Sequence, residues 1–211
     1  MKSCIVAGAS GLVGSTLTRM LLEDPAYSKV HLLVRKELEL VHPKLEQHLA
    51  DFNQLKADLF DFKADDAYCT LGTTIAIAGS KEAFYRVDHD FVLSFAQLTR
   101  QLGASGFFVV SSMGASSSSK IFYNKVKGVA EEDLKKVGFP RLGIFRPSLL
   151  LGPRAEKRAG ERFASWMMRS LDFMIPAKYK AIHVDKVAKK MMEVALQEAK
   201  GIITLESDQL H

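Results

Sequence analysis

Tyr123 and Lys127 stand four residues apart in the run YNKVKG, and two adjacent serines, Ser111 and Ser112, precede them in SSMGASSSSKIFYNKVK. On a helix, a spacing of four puts both side chains on one face. An ammonium ion beside a phenol favours the phenolate, so such a tyrosine can give or take a proton near neutral pH. A strand-end serine can hydrogen-bond the same substrate oxygen while its charge changes. No side chain can carry a hydride, so this chemistry calls for a cofactor that does. Two blander readings compete. A tyrosine and a lysine at this spacing are common on exposed helices, and the serine run resembles a linker between domains.

A second motif decides between them. Gly8-Ala9-Ser10-Gly11-Leu12-Val13-Gly14 places glycines three apart directly after an apolar run. In a dinucleotide site the first glycine allows a tight turn out of a strand. The second lets the backbone approach a pyrophosphate, and the third lets a helix pack close to the sheet. Amide groups and the helix dipole then face the phosphates. A glycine turn without a ligand is the alternative, but the position after a first strand favours the cofactor. The next apolar run ends in Val34-Arg35-Lys36, with no acid at the strand end to hold a ribose 2′-hydroxyl. A guanidinium there suits the 2′-phosphate of NADP. Otherwise the two cations are merely solvated.

These groups need a scaffold. KSCIVAG, KVHLLV, DDAYCTLG, GFFVVSS and RLGIFRP are continuous apolar runs, with a shorter strand near HLADF (48–52). Helical spacing of apolar groups marks residues 15–24, 81–103, 123–138 and a stretch from about Asp185 to 199. GIITLES reads as a last strand. Continuous apolar strands alternating with helices predict an α/β fold, a doubly wound and mostly parallel sheet of Rossmann type. Ser111 and Ser112 then fall at the carboxyl edge, where such sheets bind ligands. Ser116 to Ser119 read as a mobile loop over the site. No repeat and no Gly/Pro-rich linker appears, so residues 1–211 read as one domain, with about 148–211 forming the substrate side.

Composition agrees. Of 211 residues, 47% are hydrophobic and 25% charged, an ordinary globular mixture. No run of about 18 apolar residues is present, so no membrane span is expected, and the apolar start broken by Gly8 reads as a strand, not a signal peptide. The net charge of +5 is spread along the chain. It fits an anionic small ligand and gives nucleic acid no dense patch. Cys4 and Cys69 lie in strand-like runs and read as buried thiols, as in a reducing cytoplasm. The six histidines show no helical ligand spacing beside an acid, so no metal is expected. RFASWMMRSLDFMIP (162–176) reads as core packing, or as a pocket wall or dimer contact.

Taken together, GASGLVG, LLVRK, CTLGTT, YRVDHDFV, VVSSMGAS, YNKVKG, FRPSLLLGPR and HVDKVA resemble the short-chain dehydrogenase/reductases over nearly the whole chain. The likeness is to the atypical kind near the extended sugar-nucleotide epimerases, and most closely to the Tat-interacting-protein-like oxidoreductases. That resemblance implies NADP(H) at Gly8, Ser10, Gly11, Leu12, Val13 and Gly14, with Arg35 and Lys36 on the 2′-phosphate. It implies Asp51 near the adenine, Leu71 and Gly72 bordering the cofactor, and Leu150 near the nicotinamide. Tyr123 is the implied acid/base, Lys127 the residue that orients the nicotinamide ribose, and Ser112 rather than Ser111 the carbonyl-facing hydroxyl. Arg158 either reaches the cofactor or an anionic substrate, or is one more cation on a helix. Asp88 departs from an asparagine frequent in the family, which leaves the role of that position open. Only about sixty residues follow Pro147, few for a sugar-nucleotide site. The expected activity is therefore an NADP(H)-dependent oxidoreductase for a small carbonyl or alcohol. An NADP(H)-sensing module with a protein partner is the alternative, and an epimerase is a third reading.

Overall fold

Strands buried on both faces split their side chains between two cores, and β1 (Lys2–Ala7) does so residue by residue. Cys4 and Val6 join one apolar cluster, Ile5 and Ala7 the other, the period of two that a strand imposes. The computed structural model describes residues 1–152, 180–197 and 199–211. Arg158 and the stretch 162–176 lie outside the described residues.

After β1 come α1 (Leu12–Glu23), β2 (Tyr27–Val34), β3 (Leu45–Leu49) and β4 (Asp66–Cys69). A short α2 (Ile75–Ala78) and α3 (Lys81–Tyr85) lead into a π-helical turn (Arg86–Asp90) and α4 (Phe91–Gln101). Then follow β5 (Gly106–Val110), α5 (Phe122–Val137), β6 (Arg141–Arg146), β7 (Leu150–Leu151), β8 (Ile182–His183), α6 (Val184–Leu196) and β9 (Gly201–Glu206). Seven strands form one sheet in the order β3-β2-β1-β4-β5-β6-β9, each pair parallel. β7 and β8 form a separate parallel pair. α1 and α6 cover one face, packed on each other, while α4 and α5 cover the other. This is the doubly wound Rossmann-type fold. The strand order reverses between β1 and β4, which opens a crevice at their carboxyl ends.

Three expectations change. The strand placed near 48–52 is Leu45–Leu49; the Ala50 amide still donates to Val34 O at 2.9 Å, and the chain turns at Phe52 and Asn53. The helix expected over 81–103 is not a uniform α-helix: the π turn at Arg86–Asp90 inserts a wider loop of backbone and buries Asp88 and His89. The serine loop is docked rather than draped. Ser116 N donates to Asn124 O at 3.0 Å, and Ile121 N to Ser119 Oγ at 3.1 Å. Gly128 of α5 sits so close beneath it that a Cβ would lie 2.1 Å from Ser116 C and 2.2 Å from Ser117 N.

At the amino edge of the sheet, Asp66 is fully buried and meets Arg141 Nη2 at 2.5 Å, Lys2 Nζ at 3.1 Å and the Tyr27 hydroxyl at 2.7 Å. Three donors compensate one desolvated carboxylate. Cys4 and Cys69 are free thiols with no exposed surface. Burial pushes the Cys69 thiol up to about 12, against a smaller opposing bond from the Leu71 amide. Burial raises Cys4 too, helped by the nearby Asp66 and Asp65 carboxylates.

Candidate active site

The glycine loop leaves β1 through Gly8, whose φ of +88° admits no other residue without strain. A Cβ there would also meet Thr70 Oγ1 at 2.6 Å, just past the end of β4. Gly11 N donates to Gly8 O at 2.8 Å and closes the turn. Gly14 lets α1 come down onto it: a Cβ would lie 2.2 Å from Gly8 O. Gly11 stands at the N-cap of α1 with no side-chain cap. The first amides of the helix, at Leu12, Val13 and Gly14, therefore face the crevice without a capping oxygen, a ready place for a diphosphate. Ser10 is exposed on the same loop.

At the neighbouring strand ends, Arg35 and Lys36 are exposed and make no ion pair or hydrogen bond among the described residues. The bond from Ala50 to Val34 brings the end of β3 alongside them. Asp51 follows, exposed, its Oδ1 accepting from Asn53 N at 2.9 Å and Asn53 Nδ2 at 2.7 Å. Those two bonds, the backbone one first, hold its carboxyl below the usual range.

On the other side of the crevice the two serines part company. Ser111 is buried and its hydroxyl donates to Glu131 Oε1 at 2.5 Å. Glu131 also takes a fork from Arg146, Nε to Oε1 at 3.0 Å and Nη2 to Oε2 at 2.5 Å, while Arg146 Nη1 reaches Glu206 at 2.8 Å. Ser111 is thus committed to a structural network. Ser112 Oγ is buried and has no hydrogen-bond partner among the described residues. A buried hydroxyl without a partner costs stability, and an incoming substrate oxygen would satisfy it.

Tyr123 and Lys127 occupy the first turns of α5. Tyr123 is half-buried, its ring 5.2 Å from that of Phe84. Lys127 is buried, its Nζ 2.6 Å from Asp88 Oδ1. Burial alone would depress the ammonium, but Asp88, with a contribution from Tyr123, holds Lys127 above its ordinary value. The other carboxylate oxygen of Asp88 accepts from Thr73 N at 2.9 Å. Asp88 therefore has a defined place: it ties the lysine to the strand-end segment Leu71–Thr73. Gly72 leaves room for this, since a Cβ would lie 3.4 Å from Asp88 Oδ1 and 3.5 Å from Lys127 Nζ. Leu71 packs partly against the α4/α5 core. Leu150 is half-buried in β7 against the opposite core, and Gly152 behind it would place a Cβ 2.7 Å from Leu12 Cδ1. β7 thus closes on the start of α1. Sequence reasoning missed the service of Asp88 to Lys127, the Thr73 amide and the Glu131–Arg146 network, since each depends on contacts across elements.

The glycine cradle, the uncapped start of α1, the exposed cations at the end of β2 and the Ser112 hydroxyl, which has no partner among the described residues, fit a dinucleotide. No family model matches the chain. Protein HTATIP2 of Rattus norvegicus is 36% identical, the match covering 98% of this chain and 90% of that one. A mitochondrial protein FMP52 of Saccharomyces cerevisiae is 33% identical over 73% of this chain and 68% of its own. Among solved structures, MoeE5 in complex with UDP-glucose and NAD superposes with a TM-score of 0.72 at 18% identity, over 97% of this chain and 76% of that chain. ADP-L-glycero-D-manno-heptose-6-epimerase of Helicobacter pylori gives 0.72 at 15% identity with the same coverage. These structures share the fold. Since the fungal relatives are named mitochondrial, buried thiols do not carry the cytoplasmic expectation by themselves. No described helix is long and apolar enough to cross a membrane.

Proposed function

The chain belongs to the atypical short-chain dehydrogenase/reductase family that includes HTATIP2, and on that premise we propose that it is an NADP(H)-dependent oxidoreductase acting on a small carbonyl or alcohol. One observation carries the reading. Of two adjacent serines, Ser111 is spoken for by Glu131, while Ser112 Oγ is buried without a hydrogen-bond partner among the described residues, on the segment that leads into the helix carrying Tyr123 and Lys127.

When bound, the nicotinamide cofactor supplies or accepts the hydride. Everything else falls to the chain. Gly8, Gly11 and Gly14 let the backbone close around a diphosphate, and the amides of Leu12, Val13 and Gly14 bind it, with Ser10 at the rim. Arg35 and Lys36 receive the 2′-phosphate, with Asp51 beside the adenine. Leu71, Gly72 and Leu150 wall the nicotinamide half. Lys127, kept charged by Asp88, orients the ribose. Ser112 Oγ holds the substrate oxygen, and Tyr123 Oη gives that oxygen its proton in reduction or takes it in oxidation. Exposed Ile75 and Ile77, close in sequence to Thr73, and exposed Ile121, two residues before Tyr123, favour an apolar carbonyl over a sugar.

The test is a screen of aldehydes, ketones and quinones with NADPH, followed by Tyr123→Phe, which keeps the ring against Phe84. Turnover should fall by about 10²–10⁴ with NADPH affinity near normal, since a positioned acid or base is worth about that much. Ser112→Ala should cost rate with little affinity, and Ser111→Ala less rate. If Tyr123→Phe turns over as fast as the wild type, catalysis at this site is refuted and an NADP(H)-sensing role takes its place.

A further inference from the structure

Away from the crevice, two histidines and a glutamate that are distant in sequence meet on one face of the sheet. β2 and β3 pair in parallel with His31 opposite Glu46 and Leu33 opposite His48. The period of two then directs His31, Glu46 and His48 to the same side. His31 Nδ1 lies 3.0 Å from His48 Nε2 and 3.4 Å from Glu46 Oε2, and the three donor atoms all fall within 4.8 Å of one another.

We propose that His31, Glu46 and His48 form a binding site for a divalent transition metal, Zn²⁺ by its ligand chemistry. Tetrahedral zinc with bonds of about 2.0–2.1 Å sets its ligand atoms about 3.3 Å apart, and the two shorter separations bracket that value. Two imidazoles and one carboxylate exclude a calcium or magnesium cage, which is built from oxygen. Three protein ligands with an open fourth position are a known zinc arrangement. The surroundings hold the ligands in place. His31 is buried and stacks on Phe62 at 3.7 Å, 5° from parallel, and His48 stacks on the same ring at 4.6 Å. Phe60 closes edge-on to His48 at 5.8 Å. Lys29 pairs with Oε1 of Glu46 and leaves Oε2 turned toward His31. Burial pushes His31 down to about 4, with Glu46 opposing. His48 is lowered by burial as well, against Glu46 and the nearby Asp61. A metal here would pin the edge strand β3 to β2, the strands whose ends carry Arg35 and Asp51.

The probe is Zn²⁺ itself, added to the full chain with any affinity tag removed and titrated against a chromophoric chelator. One zinc per chain should bind with a dissociation constant of micromolar or tighter. His48→Ala and Glu46→Ala, both at partly exposed positions, should each weaken it at least tenfold, while His42→Ala should leave it unchanged. Co²⁺ loaded in place of zinc should show visible absorption that His48→Ala removes. Failure to hold zinc against the chelator, or equal affinity in His48→Ala and His42→Ala, overturns the proposal. Circular dichroism of each variant shows that it remains folded.

Discussion

Replacing Asp88 by Asn isolates what a carboxylate does at this position. One oxygen of Asp88 pairs as an ion with Lys127 Nζ at 2.6 Å, and the other accepts from the Thr73 amide at 2.9 Å. An asparagine of the same shape has one acceptor and one NH₂ group. It can satisfy the Thr73 amide, but then turns a donor toward a buried ammonium. Removing one partner of a buried pair costs about 3–5 kcal/mol, and we take about 3 kcal/mol because the Thr73 bond survives. In the wild type the folded-state value of Lys127 is raised. The pair therefore contributes fully below the ordinary lysine range and is lost only as pH rises through the folded value. In Asp88→Asn the sign reverses: the unfolded chain binds more protons, so stability recovers with rising pH. At pH 9.5 the variant needs only to lose a proton roughly 0.9 pH units below the usual lysine value near 10.4, a cost of about 1.2 kcal/mol. Urea unfolding should thus show a deficit of about 3 kcal/mol at pH 7 shrinking to about 1.2 kcal/mol at pH 9.5. A deficit under about 1 kcal/mol at pH 7, or one independent of pH, would refute the buried-pair reasoning.

Arg35→Ala should weaken NADPH by about 1.5–3 kcal/mol, the range for a hydrogen bond to a charged group, and leave NADH unchanged; fluorescence titration of both cofactors reads the difference. Arg141→Met strips Asp66 of its guanidinium while Lys2 and Tyr27 remain. It should cost about 3 kcal/mol and lower Tm by roughly 6–12 °C in a thermal melt. Gly128→Ala improves helix propensity by about 1 kcal/mol, yet its methyl collides with backbone of the serine loop. A net loss of about 1–2 kcal/mol in urea unfolding is expected, and a stabilised variant would mean that the loop is not docked.

The sheet could be read from the sequence because strands buried on both faces must be apolar throughout: KSCIVA, GFFVV and RLGIFR have few alternatives. β7 and β8, with two residues each, leave no periodic trace. The π turn is also silent, since a one-residue slip in backbone pairing barely disturbs an apolar pattern, and so the burial of Asp88 could not be foreseen. The glycine loop and the Tyr123–Lys127 spacing are local and therefore visible. The division of labour between Ser111 and Ser112 hangs on where Glu131 of the following helix lies. The meeting of His31 with His48 is set by strand register rather than by spacing along the chain.

The packing of α1 on α6 has a kinetic consequence. The apolar face of α1, with Leu17 and Leu21, is buried partly by Val187, Ala188 and Met191, residues made long after it. The free edge of β6 likewise waits for β9. During synthesis the glycine loop and its helix emerge early, yet one side of their sheet stays uncovered until nearly the whole chain is available. Contacts so remote in sequence slow folding, because loop closure precedes any gain from burial. The nascent chain therefore carries an exposed apolar layer on α1 until α6 is made, and an unpaired edge on β6 until β9 follows, the condition in which chaperone capture competes with aggregation.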